Sequence, residues 1–106
     1  MTAARLIAGA GLAALALGAV PALAQPAADT ARFVAANCAN CHGTNGVAQA
    51  PMPSLAGLKK EYIAEQMRAF RDGKRPATIM HQLAKGYSDA QIDAMAEFFA
   101  RQPAAR

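Results

Sequence analysis

Five consecutive residues, Cys38-Ala39-Asn40-Cys41-His42, constrain this chain more than anything else in it. They hold both of its cysteines and one of its two histidines. A disulfide is one use for such a pair. Thiol-disulfide exchange is another, but C-x-x-C of that kind follows a strand in a βαβ unit, and no segment here alternates as a strand does. A zinc site needs further Cys or His ligands, and only His81 remains.

The reading left standing is covalent attachment of one haem c, for which C-x-x-C-H has a direct physical meaning. The spacing lets two thiols add to the two vinyl groups on one edge of the macrocycle. The histidine that follows is then held beneath the iron as the proximal ligand. Cys38 and Cys41 are therefore the expected attachment residues and His42 the expected axial ligand. Residues 25–106 make a small domain with four Phe, two Tyr and no Trp, a thin core for a free-standing fold. A largely apolar prosthetic group supplies buried surface that these side chains lack.

The first 24 residues read as a cleaved export signal. Arg5 precedes an apolar run over 6–20, and Ala22-Leu23-Ala24 is a small-x-small cleavage site. The run is shorter than the roughly 20 residues that a bilayer-spanning helix needs, and Pro21 interrupts it. The expected product is a periplasmic protein without stable membrane insertion, one domain over 25–106. The formal charge of +4 includes Arg5, the only charge in the leader, and haem propionates would offset much of the rest. This is not the balance of a nucleic-acid binder.

Periodicity predicts an all-α fold of three main helices. After a short mobile leader over 25–28, Asp29 or Thr30 can cap a helix carrying Phe33 and Val34 towards Cys38. Three glycines, Pro51 and Pro53 make 43–58 an irregular loop. Over 59–71, Tyr62, Ile63, Gln66, Met67 and Phe70 share one helical face, and Gly73 is the stop. A second loop over 74–79 leads to Met80. Ser88 with Gln91 forms a capping box for a last helix with the stripe Ile92, Met95, Ala96 and Phe99, ended by Pro103.

Met52, Met67, Met80, Met95 and His81 can all chemically reach an iron. Met67 and Met95 lie on apolar helical stripes and read as core. Met52, between two prolines soon after the attachment motif, should pass on the histidine side of the ring. Met80 follows a loop long enough to wrap to the other face, so it is the expected second axial ligand. His81 is its competitor. A His/Met pair raises the reduction potential relative to bis-histidine ligation and leaves no open position. An open or bis-histidine site would instead suit ligand binding or peroxide handling.

With those residues in view, the chain resembles a class I c-type cytochrome. The matching pieces are Cys38-Ala39-Asn40-Cys41-His42-Gly43 with Gly46, then Pro53-Ser54-Leu55-Ala56-Gly57, then Tyr62 through Phe70 with Gly73, and Met80. The resemblance implies a class I cytochrome c-like fold around one haem, Met80 as distal ligand, and a proline carbonyl accepting the free N–H of the ligating histidine. Pro53 is the nearest match, with Pro51 close by.

More narrowly, Thr78-Ile79-Met80-His81-Gln82-Leu83-Ala84-Lys85-Gly86-Tyr87-Ser88-Asp89 is similar to the cytochrome subunits of flavocytochrome c sulfide dehydrogenases. That implies a redox partner that is a flavoprotein subunit. Many such subunits carry two haem domains, whereas one motif stands here. An electron carrier, not an enzyme, is the expected function. Lys59, Lys60, Arg68, Arg71, Lys74 and Arg75 are candidates for steering an acidic partner, or simply a solvated face.

Overall fold

A computed structural model describes residues 26–106, together with Gly9 and Gly11. Apart from those two glycines, the expected signal peptide lies outside the described residues. The order is α1 (Pro26–Ala36), α2 (Ala39–His42), a 3₁₀ turn at Thr44–Gly46, α3 (Lys60–Arg71), α4 (Met80–Ala84) and α5 (Asp89–Ala100). The expected all-α class holds, with no strand among the described residues.

α1 begins three residues before the expected caps, and Pro26 suits a first helical turn, where its missing N–H costs nothing. Helix therefore replaces most of the expected mobile leader. The helix buries Val34 and Ala35, with Ala31 and Cys38 half-buried along the same stripe. Phe33 falls off that i, i+3, i+4, i+7 line and is 79% exposed.

α5 is the central support. α1 and α3 both pack against it, and α4 packs on α3. The Ser88 hydroxyl accepts from Gln91 N–H, and the Gln91 side chain accepts from Ser88 N–H, which is the expected capping box. Ile92, Met95, Ala96 and Phe99 are buried, as their spacing implied. Each large member contributes roughly 1.5–3 kcal/mol over an exposed position.

α3 buries Ile63, Ala64 and Met67, while Tyr62 stays 48% exposed. It ends in a Schellman motif. Gly73, at φ 73°, donates to Phe70 O, and Lys74 donates to Ala69 O. The turn aims the chain back along α3, and after an irregular stretch it enters α4. That short helix was not foreseen, because five residues are too few to show a period.

Candidate functional site

Cys38 closes the turn after α1, donating to Ala35 O at 3.0 Å, and its own carbonyl accepts from His42 N–H at 2.8 Å. The motif is therefore one helical turn. It leaves Cys41 exposed, Cys38 half-buried and His42 only 8% exposed. Gly43 lets the chain leave the turn at φ 80°, where an added Cβ would lie 1.8 Å from Val47 O. Only glycine fits there.

Beyond it, the loop folds back on itself. Leu55 and Ala56 both donate to Gly46 O, and Ala48 N–H donates to the Ser54 hydroxyl. Gly46 is buried at φ 81°, and a Cβ there would meet the Phe99 ring at 2.7 Å. This folding places the Pro53 carbonyl 2.7 Å from His42 Nδ1. A carbonyl only accepts, so Nδ1 carries the hydrogen and Nε2 keeps its lone pair. Met52, next to Pro53, lines the same cavity as His42.

One apolar cavity of about 290 Å³ gathers the expected residues. Cys38, Cys41 and His42 line it, as does Met80. α3 adds Ile63, Met67 and Phe70, and α5 adds Met95 and Phe99. Met67 and Met95, read as core from their spacing, serve as core and cavity wall together. His81 does not line the cavity; it is half-buried, with a buried Nδ1 that has no hydrogen-bond partner.

The residues fit a large apolar macrocycle bearing a metal. The wall offers an imidazole nitrogen and a thioether within otherwise apolar surroundings, as cofactor cavities do. Met52, Tyr62, Ile79 and Leu83 are 39–51% exposed, and all four line the cavity. Large apolar side chains gathered at one opening call for a cover. Among the described residues no group of three or more His, Cys, Asp or Glu side chains could hold a bare metal ion.

Burial pushes the Cys38 thiol above its ordinary value, and the neighbouring Cys41 adds to the shift. Thiol-disulfide catalysts need the reverse, a stabilised thiolate.

Part of the basic cluster is paired with carboxylates. Arg68 bonds Asp93 at 2.7 Å and Asp89 at 3.2 Å, Arg71 bonds Asp89 at 2.8 Å, and Lys60 reaches Glu97 at 3.1 Å. These cations tie α3 to α5 instead of facing outward unpaired. The hydrogen bonds from Arg71 and then Arg68 hold the Asp89 carboxyl below the usual range, and Lys60 does the same for Glu97. Lys59 and Lys74 make no salt bridge among the described residues. Arg75 also differs: it lines the cavity, a placement that its position in a run of basic residues did not reveal.

Comparison with known proteins agrees with this geometry. Residues 25–99 match the family described as cytochrome c oxidase, cbb3-type, subunit III. The cytochrome subunit of sulfide dehydrogenase from Chlorobaculum tepidum is 35% identical over 94 residues, covering 89% of this chain and 86% of the relative. A thiosulfate dehydrogenase electron acceptor from Thiomonas intermedia is 42% identical over 63% of this chain, which spans only 32% of it.

A solved cytochrome c4 structure from Acidithiobacillus ferrooxidans, reported to support a complex-induced tuning of electron transfer, is 38% identical with a TM-score of 0.58. It covers 59% of this chain and 37% of its own. No helix among the described residues is long and apolar enough to cross a membrane. The chain belongs to this cytochrome c family, with haem c as its cofactor and electron transfer, not catalysis, as its work.

Proposed function

We propose that this chain is a periplasmic, single-haem electron carrier with His42 and Met80 as axial ligands and Cys38 and Cys41 as the covalent attachment points. In this reading residues 1–24 are a cleaved signal peptide and 25–106 are one cytochrome domain. The observation that carries it is the convergence of these four side chains on one apolar cavity, with His42 oriented by Pro53.

Haem, when bound, supplies a one-electron couple between ferric and ferrous iron. The chain's residues set its conditions. The Pro53 carbonyl fixes the His42 ring and leaves Nε2 as donor, a contact that also raises imidazole basicity. The Met80 thioether favours the reduced state relative to a second imidazole. Met67, Met95 and Phe99 keep the cavity apolar, so water reorganises little on transfer. Exposed Cys41 marks the edge through which a partner exchanges electrons.

For the donor we favour a flavoprotein that oxidises sulfide, because the relative sharing nearly the whole length is a sulfide dehydrogenase cytochrome subunit. Potentiometric titration of the purified haem protein, followed by its visible spectrum, tests the site. A low-spin c-type spectrum at positive potential is expected. A high-spin or strongly negative centre would reject Met80 and return His81 or an open position to consideration. Haem reduction by sulfide in the presence of the flavoprotein, and none without it, tests the donor.

A further inference from the structure

The loop that carries Pro53 is held from one side by α5. The Phe99 ring closes on Gly46, whose carbonyl accepts from Leu55 and Ala56, and the Phe99 carbonyl accepts from Gly57 N–H at 2.9 Å. The same carbonyl accepts from Gln102 N–H at 3.1 Å, in the segment that follows α5. One backbone oxygen therefore joins that segment to the loop.

Two further contacts fix the segment. Gln102 Nε2 donates to Phe98 O at 2.9 Å, which ties the side chain back onto the last turn of α5. Ala104 then lies on Gly57: at φ 75° an added Cβ would stand 2.8 Å from Ala104 Cα and 2.9 Å from its Cβ. Pro103 between them has a fixed φ, so the Gln102 anchor and the Ala104 contact are not independent. Gly57 stands only four positions after Pro53, and Leu55 and Ala56 in between are pinned to Gly46. The stretch has little slack, and at its far end is the carbonyl 2.7 Å from His42 Nδ1.

We propose that Gln102 and Ala104 are positioning residues: the segment after α5 presses the loop towards Phe99 and so keeps the Pro53 carbonyl on His42. The inference rests on the reading of His42 as an axial ligand. The acceptor on Nδ1 makes the imidazole a stronger donor and favours ferric iron, so loosening the segment weakens that acceptor and raises the midpoint potential. Neither residue lines the cavity, so an effect on the iron passes through the loop.

The test uses the intact haem protein and two readouts, the exchange rate of the His42 Nδ1 proton in the ferrous state by NMR and the midpoint potential. Gln102→Ala combined with Pro103→Gly removes the anchor and frees the chain. It should speed exchange about tenfold, as an opening made easier by one hydrogen bond would, and raise the potential. Gly57→Ala pushes Ala104 away and should do the same more strongly. Ser88→Ala is the control: it weakens the other end of α5 and touches neither loop nor segment, so both readouts should keep their parental values.

Parental exchange in the double variant overturns the proposal, and so does faster exchange at an unchanged potential. Equal acceleration by Ser88→Ala also overturns it, because the segment would then act only through overall stability. If Gly57→Ala fails to fold, the double variant against Ser88→Ala decides by the same readouts. A parent protein without covalent haem, or without iron ligation by His42, would instead defeat the functional reading on which the inference stands.

Discussion

The segments that deliver His42 and Met80 to the same cavity are built differently. His42 sits in a helical turn closed by backbone hydrogen bonds, buried, and held at Nδ1 by a carbonyl eleven residues on. Met80 opens a five-residue helix whose N-cap, Ile79, provides no side-chain cap, after a stretch with little regular structure. The residue beside it, His81, keeps a buried nitrogen unsatisfied. The histidine is positioned by its own neighbourhood, whereas the methionine depends on contacts made across the domain. Of the two proposed ligands, Met80 should be the one that yields first.

Breaking the histidine side should have the largest effect. Gly43→Ala forces a Cβ into the Val47 carbonyl at a φ that L-residues avoid. We expect a loss of ~3 kcal/mol or more, read as failure to accumulate folded haem protein. A near-parental melting temperature would show that the turn is softer than its geometry implies.

Met80→Ala sharpens the contrast. Covalent haem and His42 ligation should survive, while the iron becomes able to bind carbon monoxide and the potential falls. An unchanged visible spectrum would remove Met80 from the ligand set.

A smaller effect is expected at the cap after the methionine segment. Ser88→Ala removes the hydroxyl that accepts from Gln91 N–H and should destabilise by about 1 kcal/mol, measured by denaturant unfolding. Equal destabilisation of the His42 spectrum and the Met80 ligation signal would mean that both sides unfold as one unit.

The smallest change is expected from the exposed clamp between α3 and α5. The Asp89 carboxyl is held below its ordinary value, so its contribution is present above the unfolded pKa and is lost as pH falls towards the depressed folded one. Asp89→Asn should flatten the acid limb of stability, less so at high salt because the pair is solvent-exposed. Identical acid limbs would leave the clamp without energetic weight.

What could be read from the residues alone divides in a similar way. The capping box and the α5 stripe are local patterns, and each recurs in the structure as expected. Pro53 was legible only through family resemblance, since nothing in its spacing says that its carbonyl meets His42. The basic cluster shows the limit of local reading: charge on α3 is visible in the sequence, but the carboxylates that meet it lie on α5, 18 to 37 positions away. Arg75 was hidden among those charges until its stack on Phe70 turned it towards the cavity.

The packing of α1 on α5 also bears on the order of events in making the protein. The helix that leads into the C-x-x-C-H motif packs against α5, which is made after it. Until Phe99 arrives, Gly46 and the loop beside it lack the ring that they close upon. An incomplete chain presents Cys38 without the burial that raises its thiol in the finished fold. Under the attachment proposed above, the chemistry would have its best access to Cys38 before closure, and the folded domain would then shield the bond.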